Sequence, residues 1–383
     1  MATSNSVIEL RKSGLYCPAG NFYIDPWNPV DQAVITHAHS DHARSGHRRY
    51  LATEASVPIL KTRLGEQIVI SGLAYGESKR IGDATVSLHP AGHVLGSAQV
   101  RIEVAGQVWV VTGDYKREED STCETFDPIR CHGLVTESTF GLPVFQWQAE
   151  NVVAQQINAW WQANQQQGRA SILYGYALGK AQRLLSLLDA SVGPIYLHGA
   201  MDQLTEIYRQ QGIKLPIARL VSEMPVNHDW KNAMVLAVPS AHGSSWTRRF
   251  GASVTAMASG WMSIRGNRRR RSVDRGFVIS DHADWQGLID TVHECQPEQV
   301  WTTHGYSDVL ARFLTDQGIN ARAIKTEFVG ETLDPSREQN EGQNEAEMPE
   351  DTSVVSSHKQ SKPIVSVDSE DCETSESSPR ARS

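Results

Sequence analysis

The residues best equipped for chemistry are crowded into one stretch, Thr36-His37-Ala38-His39-Ser40-Asp41-His42, where four side chains able to ligate a metal fall within six positions. The apolar run Ala33-Val34-Ile35 comes just before it and reads as the end of a buried strand. If strand geometry continues through His39, the two-residue period places His37 and His39 on one side, facing one ion. A turn after Ser40 then aims Asp41 and His42 at a second. Imidazole and carboxylate ligands favour zinc, with manganese as the alternative, and two ions roughly 3.5–4 Å apart are a standard device for hydrolysing phosphate esters.

Other segments must bring further ligands to the same place. Asp25 closes the run Phe22-Tyr23-Ile24, after a segment punctuated by Gly14, Pro18 and Gly20. A helix is expected over 52–64, then strand-like runs at 67–70 and 85–88. In Pro90-Ala91-Gly92-His93-Val94-Leu95-Gly96-Ser97, a histidine flanked by glycines at a strand-to-strand turn can reach inward. The run Val108-Trp109-Val110-Val111-Thr112 reads as a buried strand that Gly113-Asp114 ends. A carboxylate there can place one oxygen on each ion.

The stretch 36–42 resembles the His-x-His-x-Asp-His motif of metallo-β-lactamase-fold hydrolases, and the segment around His93 resembles that family's third motif. The resemblance implies His37, His39, His93 and Asp114 on one ion, with Asp41, His42 and Asp114 on the other. It also implies a supporting role for Asp25 behind the histidines and a part in catalysis for Asp41. The second ion is left one ligand short.

Later segments carry a narrower resemblance. Gly133-Leu134-Val135-Thr136-Glu137-Ser138 resembles motif A of the β-CASP subgroup, which acts on nucleic acids. From about 143 to 262, strands at 170–174, 194–197, 234–238 and 253–258 alternate with helical patterns at 150–167, 181–188 and 201–211, which predicts a parallel sheet with its own core. The segments Tyr176-Ala177-Leu178-Gly179-Lys180-Ala181-Gln182 and Ala258-Ser259-Gly260-Trp261-Met262 also resemble the β-CASP insertion. Phe277-Val278-Ile279-Ser280 reads as a returning strand, and Asp281-His282-Ala283-Asp284 resembles motif B. Val300-Trp301-Thr302-Thr303-His304-Gly305 resembles motif C, making His304 the candidate for the missing ligand. His282, paired with Glu137, is expected to steady the phosphate or protonate the leaving oxygen.

The expected fold class is α/β: a metallo-β-lactamase αββα sandwich (1–140 and 266–330) with an inserted β-CASP α/β domain (141–265), followed by a tail at 331–383. The group most resembled is the bacterial ligase-associated DNA exonucleases, and a more distant resemblance is to the endonuclease subunit of the eukaryotic pre-mRNA cleavage and polyadenylation factor. This implies a DNA exonuclease in end processing or repair, holding two divalent ions, with a DNA ligase and a helicase as partners. RNA processing by the same chemistry is the runner-up. A small-molecule metallohydrolase needs neither the insertion nor motifs B and C, and a catalytically dead scaffold would lack ligands that are all present here.

Composition sets the remaining bounds. The chain is 40% hydrophobic and carries a net charge of −8. Residues 331–383 hold 13 acidic and 5 basic side chains, leaving 31 of each in residues 1–330, so the acidity belongs to the tail. A tail rich in Glu, Ser and Gln reads as disordered. Arg265, Arg268, Arg269, Arg270 and Arg271 form a dense basic cluster able to grip phosphates. Five scattered cysteines without CxxC spacing argue against a disulfide framework. No apolar run approaches a membrane span and the first residues do not resemble a signal peptide, so a cytoplasmic location is expected.

Overall fold

A computed structural model describes residues 6–266 and 272–328. The cluster Arg268, Arg269, Arg270, Arg271 and the tail at 331–383 lie outside the described residues. The first sheet holds β1 (Glu9–Arg11), β2 (Gly14–Cys17), β3 (Phe22–Ile24), β4 (Gln32–Val34), β5 (Arg49–Thr53) and β6 (Ile70–Leu73) in that order. The second comprises β7 (Ser78–Ile81), β8 (Ala84–Pro90), β9 (Ala98–Val104), β10 (Gln107–Val111) and β11 (Gly133–Glu137), continued by β18 (Gln299–Thr303) and β19 (Ala321–Ala323). Strand β18 returns from far along the chain to pair with β11 in parallel, Glu137 opposite Thr303. That pairing brings the ends of two motif-bearing strands side by side.

Period-two alternation explains why these two sheets face each other. Leu15, Ile24, Val34 and Leu51 of one pack on Val86, Val100, Ile102, Trp109, Val135 and Trp301 of the other in a single apolar layer. Helix α1 (Ser56–Leu64) covers the outer face of the first sheet through Ile59 and Leu60, against Ala33, Tyr50 and Ala52. On the second sheet, α5 (Trp285–Cys295) and α6 (Ser307–Asp316) cover Val110, Leu134 and Val300. The result is an αββα sandwich.

The third sheet is wholly parallel, in the order β14 (Arg219–Leu220), β13 (Ile195–Leu197), β15 (Met234–Ala237), β12 (Ala170–Tyr174), β16 (Ser253–Ala258) and β17 (Arg275–Phe277). Its central strands are continuous apolar runs because helices screen both faces. Those helices are α2 (Glu150–Gln166), α3 (Lys180–Leu187) and α4 (Asp202–Gln210). In α2, Val153, Ile157, Trp160, Trp161 and Asn164 form the buried stripe at helical spacing. Among the described residues, no helix is long and apolar enough to cross a membrane.

Three boundaries differ from expectation. Strand β4 stops at Val34 and the chain bends at Thr36, so the ligating stretch is a loop and strand geometry does not carry through to His39. Residues 52–53 belong to β5, since Leu51 and Ala52 are claimed by cores on opposite faces of the sheet. The strand expected to return to the sandwich at 277–280 is β17, which pairs with β16 in the third sheet and ends at Phe277, so the return comes after it and 278–280 lie outside the ladder.

Candidate metal centre

The loop after β4 is folded by its own hydrogen bonds: the amides of His42 and Ala43 both donate to the carbonyl of His39. This tight turn separates His37 and His39 from Asp41 and His42, as the spacing predicts. Gly113, at the end of β10, has φ +58, and a Cβ there would stand 2.6 Å from Thr36. Only glycine lets the Asp114 backbone come so close to the loop. His304 itself has φ +61, and Ser138 Oγ donates to its carbonyl at 2.7 Å, so the strained residue after β18 is tied to the end of β11.

The predicted residues converge. Single ligand atoms of His37, His39, His93 and Asp114 all lie within 4.8 Å of one another, as do those of Asp41, His42 and His304, and those of Asp114, Glu137 and His282. Asp114 joins them. Its Oδ2 is 3.6 Å from His37 Nε2 and 3.4 Å from His42 Nε2, while its Oδ1 is 3.8 Å from His304 Nε2.

Hydrogen bonds on the far side of the His93, His39, His42 and His37 rings fix their tautomers, while His304 Nδ1 is buried with no partner. His93 Nδ1 donates to the carbonyl of Asp281 at 2.7 Å, and His39 Nε2 donates to the carbonyl of Leu178 at 3.3 Å. Their remaining lone pairs, His93 Nε2 and His39 Nδ1, therefore point at each other across 3.0 Å. His42 Nδ1 gives its proton to Asp25 Oδ2 at 2.7 Å, and its Nε2 stands 3.2 Å from His304 Nε2. His37 Nδ1 donates to Thr36 Oγ1, whose own proton goes to Asp25 Oδ2. His37 Nε2 and Asp114 Oδ1 are buried with no hydrogen-bond partner. The facing lone pairs of His39 and His93, the orphaned His37 Nε2 and Asp114 Oδ1, and the meeting of His42 and His304 beside Asp41 and Asp114 make two donor sets that fit divalent metal.

Electrostatics agree. Burial pushes His37, His39, His93 and His304 below the usual imidazole range, the neutral form that a metal requires. His42 is the exception: burial lowers it, but Asp114, Asp41 and Asp25 outweigh that and push it well up. The second set, with its aspartates, draws positive charge.

His282 sits differently. Its Nδ1 is 3.0 Å from both oxygens of Glu137, which also accepts from the amide of Tyr115 at 2.8 Å. Trp147 Nε1 donates to the His282 carbonyl at 2.8 Å. A proton shared with Glu137 accounts for this pair. Arg265 is exposed and belongs to none of the three clusters.

Several contributors were given no individual role by the sequence. Phe328 stacks on His42 and on His304 with ring centroids 4.6 Å apart in both cases, closing the back of the second set. Leu178, just before α3, meets His39 of the first set through its carbonyl, and Lys180 and Arg183 of α3 hold Asp281, whose carbonyl meets His93. The readable signal was a lysine and an arginine on one face of a helix otherwise set for burial.

Asp25, also with positive φ, is expected to tolerate Asn, which shares its ease in that region. Asp25→Asn removes the charged acceptor behind His42, and a 10- to 100-fold weaker hold on the second ion is expected, read by metal content after graded chelation. Unchanged retention would exclude the supporting role.

No protein-family model matches the chain. It is 32% identical over 313 residues, 81% of its length, to a protein described as a probable DNA ligase from Opitutus terrae. It is 28% identical over 193 residues to cleavage and polyadenylation specificity factor 73 of Drosophila melanogaster, and 28% identical over 197 residues to endoribonuclease ysh-1 of Neurospora crassa, each match taking in 42% of the chain. The chain spans 30%, 28% and 23% of those three proteins. The crystal structure of a protein of unknown function from Enterococcus faecalis V583 shares the fold at 14% identity, with TM-score 0.52 over 78% of this chain and 80% of that one. An αββα sandwich with a further parallel sheet, together with relatives that include an endoribonuclease, shows that the chain belongs to the β-CASP group of the metallo-β-lactamase fold.

Proposed function

We propose that the protein is a two-metal phosphodiesterase that degrades DNA from an end, with zinc as the first choice of ion and manganese as the second. The observation that carries the reading is Asp114, whose Oδ2 stands 3.6 Å from His37 Nε2 of the first set and 3.4 Å from His42 Nε2 of the second, while its Oδ1 faces His304. Divalent ions held by His37, His39, His93 and Asp114, and by Asp41, His42, His304 and Asp114, would supply Lewis-acid activation of a phosphodiester. The chain's own residues do the rest. Thr36 and Asp25 orient the rings, and Phe328 keeps water from the far side of His42 and His304. Glu137 holds the proton on His282 Nδ1, which fixes the ring so that Nε2 can face a phosphate oxygen or the leaving oxygen.

DNA is favoured over RNA because a match over 313 residues is to a probable DNA ligase, and the same match supports work alongside a ligase; a helicase as a further partner rests on the family resemblance of the sequence motifs. The RNA-cleaving relatives make an RNA-processing nuclease the second reading. The inserted domain is taken to begin near 141 and, because β17 belongs to its sheet, to run to about 277 and not to 265, and Arg265, with the arginines that follow it, is taken as a grip on the nucleic-acid backbone.

Purified protein is tested on matched DNA and RNA strands labelled at either end, with zinc, manganese or chelator. Stepwise shortening of DNA, abolished by chelation, is the expected result. Faster cleavage of RNA, or cleavage that survives chelation, would overturn the corresponding part of the reading.

A further inference from the structure

Behind the first set of ligands lies a group of buried charges that the chemistry above does not use. Lys180 Nζ is 2.9 Å from Asp281 Oδ2, and Arg183 Nη1 is 3.0 Å from Asp281 Oδ1. Arg183 Nε reaches Glu150 at 2.7 Å and Asp120 at 3.3 Å, and Asp120 takes Lys116 Nζ at 2.7 Å. Lys116 and Lys180 are 0% exposed, Asp281 4% and Arg183 5%. Three cations meet three carboxylates drawn from the first half of the sandwich, from α2 and α3, and from the return segment.

Stability alone does not explain such a cluster, since apolar residues of similar volume generally do as well in a core. Position does. Lys180 Nζ also donates to the carbonyl of Ile279 at 3.2 Å, and Arg183 Nη1 donates to that of Ser280. Backbone carbonyl and carboxylate over 279–281 are thus clamped from α3, and the next carbonyl, that of Asp281, is the acceptor that fixes His93. Two residues before Lys180, Leu178 supplies the carbonyl that fixes His39. Gly179 between them has φ +81, and a Cβ there would stand 2.2 Å from Val94, the neighbour of His93. Two of the three imidazoles in the first set are therefore oriented by one short segment of the third-sheet unit and by what it grips.

We propose that Lys180 and Arg183 are positioning residues for the first ion, holding Asp281 and Leu178 where their carbonyls fix the His93 and His39 rings. The inference rests on the metal-binding reading above, and its consequence is that the sandwich alone does not complete the first site. Outer partners of ligating histidines are typically worth 10- to 100-fold in metal affinity.

The test is a zinc titration of the full chain against a chromophoric chelator, alongside thermal unfolding of the metal-free protein. Wild type is expected to show two binding steps, and His304→Ala identifies the second-ion step by weakening it. Lys180→Met is expected to weaken the other step 10- to 100-fold while leaving the second-ion step in place. Leu236→Ala, a buried apolar position of the third sheet, serves as a destabilised control and is expected to keep both steps. If Lys180→Met does not fold, Arg183→Lys carries the same expectation, because it keeps the charge but loses the fork that reaches Ser280, Asp281 and Glu150. Wild-type affinity at the first step in a folded variant, or a loss that Leu236→Ala reproduces, would overturn the inference and leave the metal reading intact. Wild type that binds no zinc would overturn the metal reading itself.

Discussion

Asp114→Ala is expected to lower kcat/KM on a labelled DNA strand by roughly 10³-fold or more, the largest single-residue loss in the molecule. Asp114 is 2% exposed just past β10, and its carboxylate lies within 4 Å of imidazoles of both sets, His37 in the first and His42 and His304 in the second. Burial works against its charge, yet His42 and His304 hold it well below the ordinary carboxylate range, so it is anionic wherever the protein is folded near neutrality. Removing it takes one negative charge from between two sites that would each hold a dication. The clamp that two such ions provide contributes several kcal/mol to phosphoryl transfer, and each 1.36 kcal/mol is a factor of ten. Metal content measured on the same samples separates the causes: loss of one or both ions with the fold retained is the expected accompaniment. Cleavage within a few-fold of wild type would remove the mechanism.

Much of this was legible because metal ligation constrains sequence tightly. The spacing from His37 to His42, the glycines around His93 and the acid after the 108–112 run each named a position that the structure delivers to the cluster. Strands with two buried faces were legible too. The run at 170–174 coincides with β12 and that at 253–258 with β16, because continuous apolar stretches bounded by turns have few other homes. Helix starts were harder. The 52–64 pattern merged a strand end with a helix, since Leu51 and Ala52 would suit either, and only the β5 ladder to β6 decides between them. The helices α5 and α6 follow directly on the motif residues and were not expected from the sequence, although Asp284 caps α5 by accepting from the Gly287 amide at 2.9 Å. Least legible were groups whose role depends on a distant backbone. Nothing local announces that the carbonyl of Leu178 meets His39 or that Phe328 lies on His42. Lys180 and Arg183 could have been suspected, because charges on the buried face of a helix require partners.

The second large effect is expected at His282. Glu137 fixes its Nδ1 proton, and burial in contact with Phe140 keeps the ring from turning away. General acid–base groups contribute roughly 10²- to 10⁴-fold, so His282→Ala should lower kcat by about that factor while both zinc-binding steps persist, since the ring is already committed to Glu137. The leaving group distinguishes the two roles open to it. An alkoxide of the sugar needs a proton as its bond to phosphorus breaks, whereas a nitrophenolate leaves readily without one. If His282 delivers that proton, the loss in the alanine variant shrinks steeply when a nitrophenyl ester of a nucleotide replaces the natural strand. If it only steadies charge on the phosphate, the loss is the same for both substrates. Glu137→Gln should follow the same pattern at smaller amplitude, because the amide still receives the Tyr115 amide bond but holds the imidazole proton less firmly. A His282→Ala protein that turns over both substrates at the wild-type rate would show that the buried pair serves the fold alone.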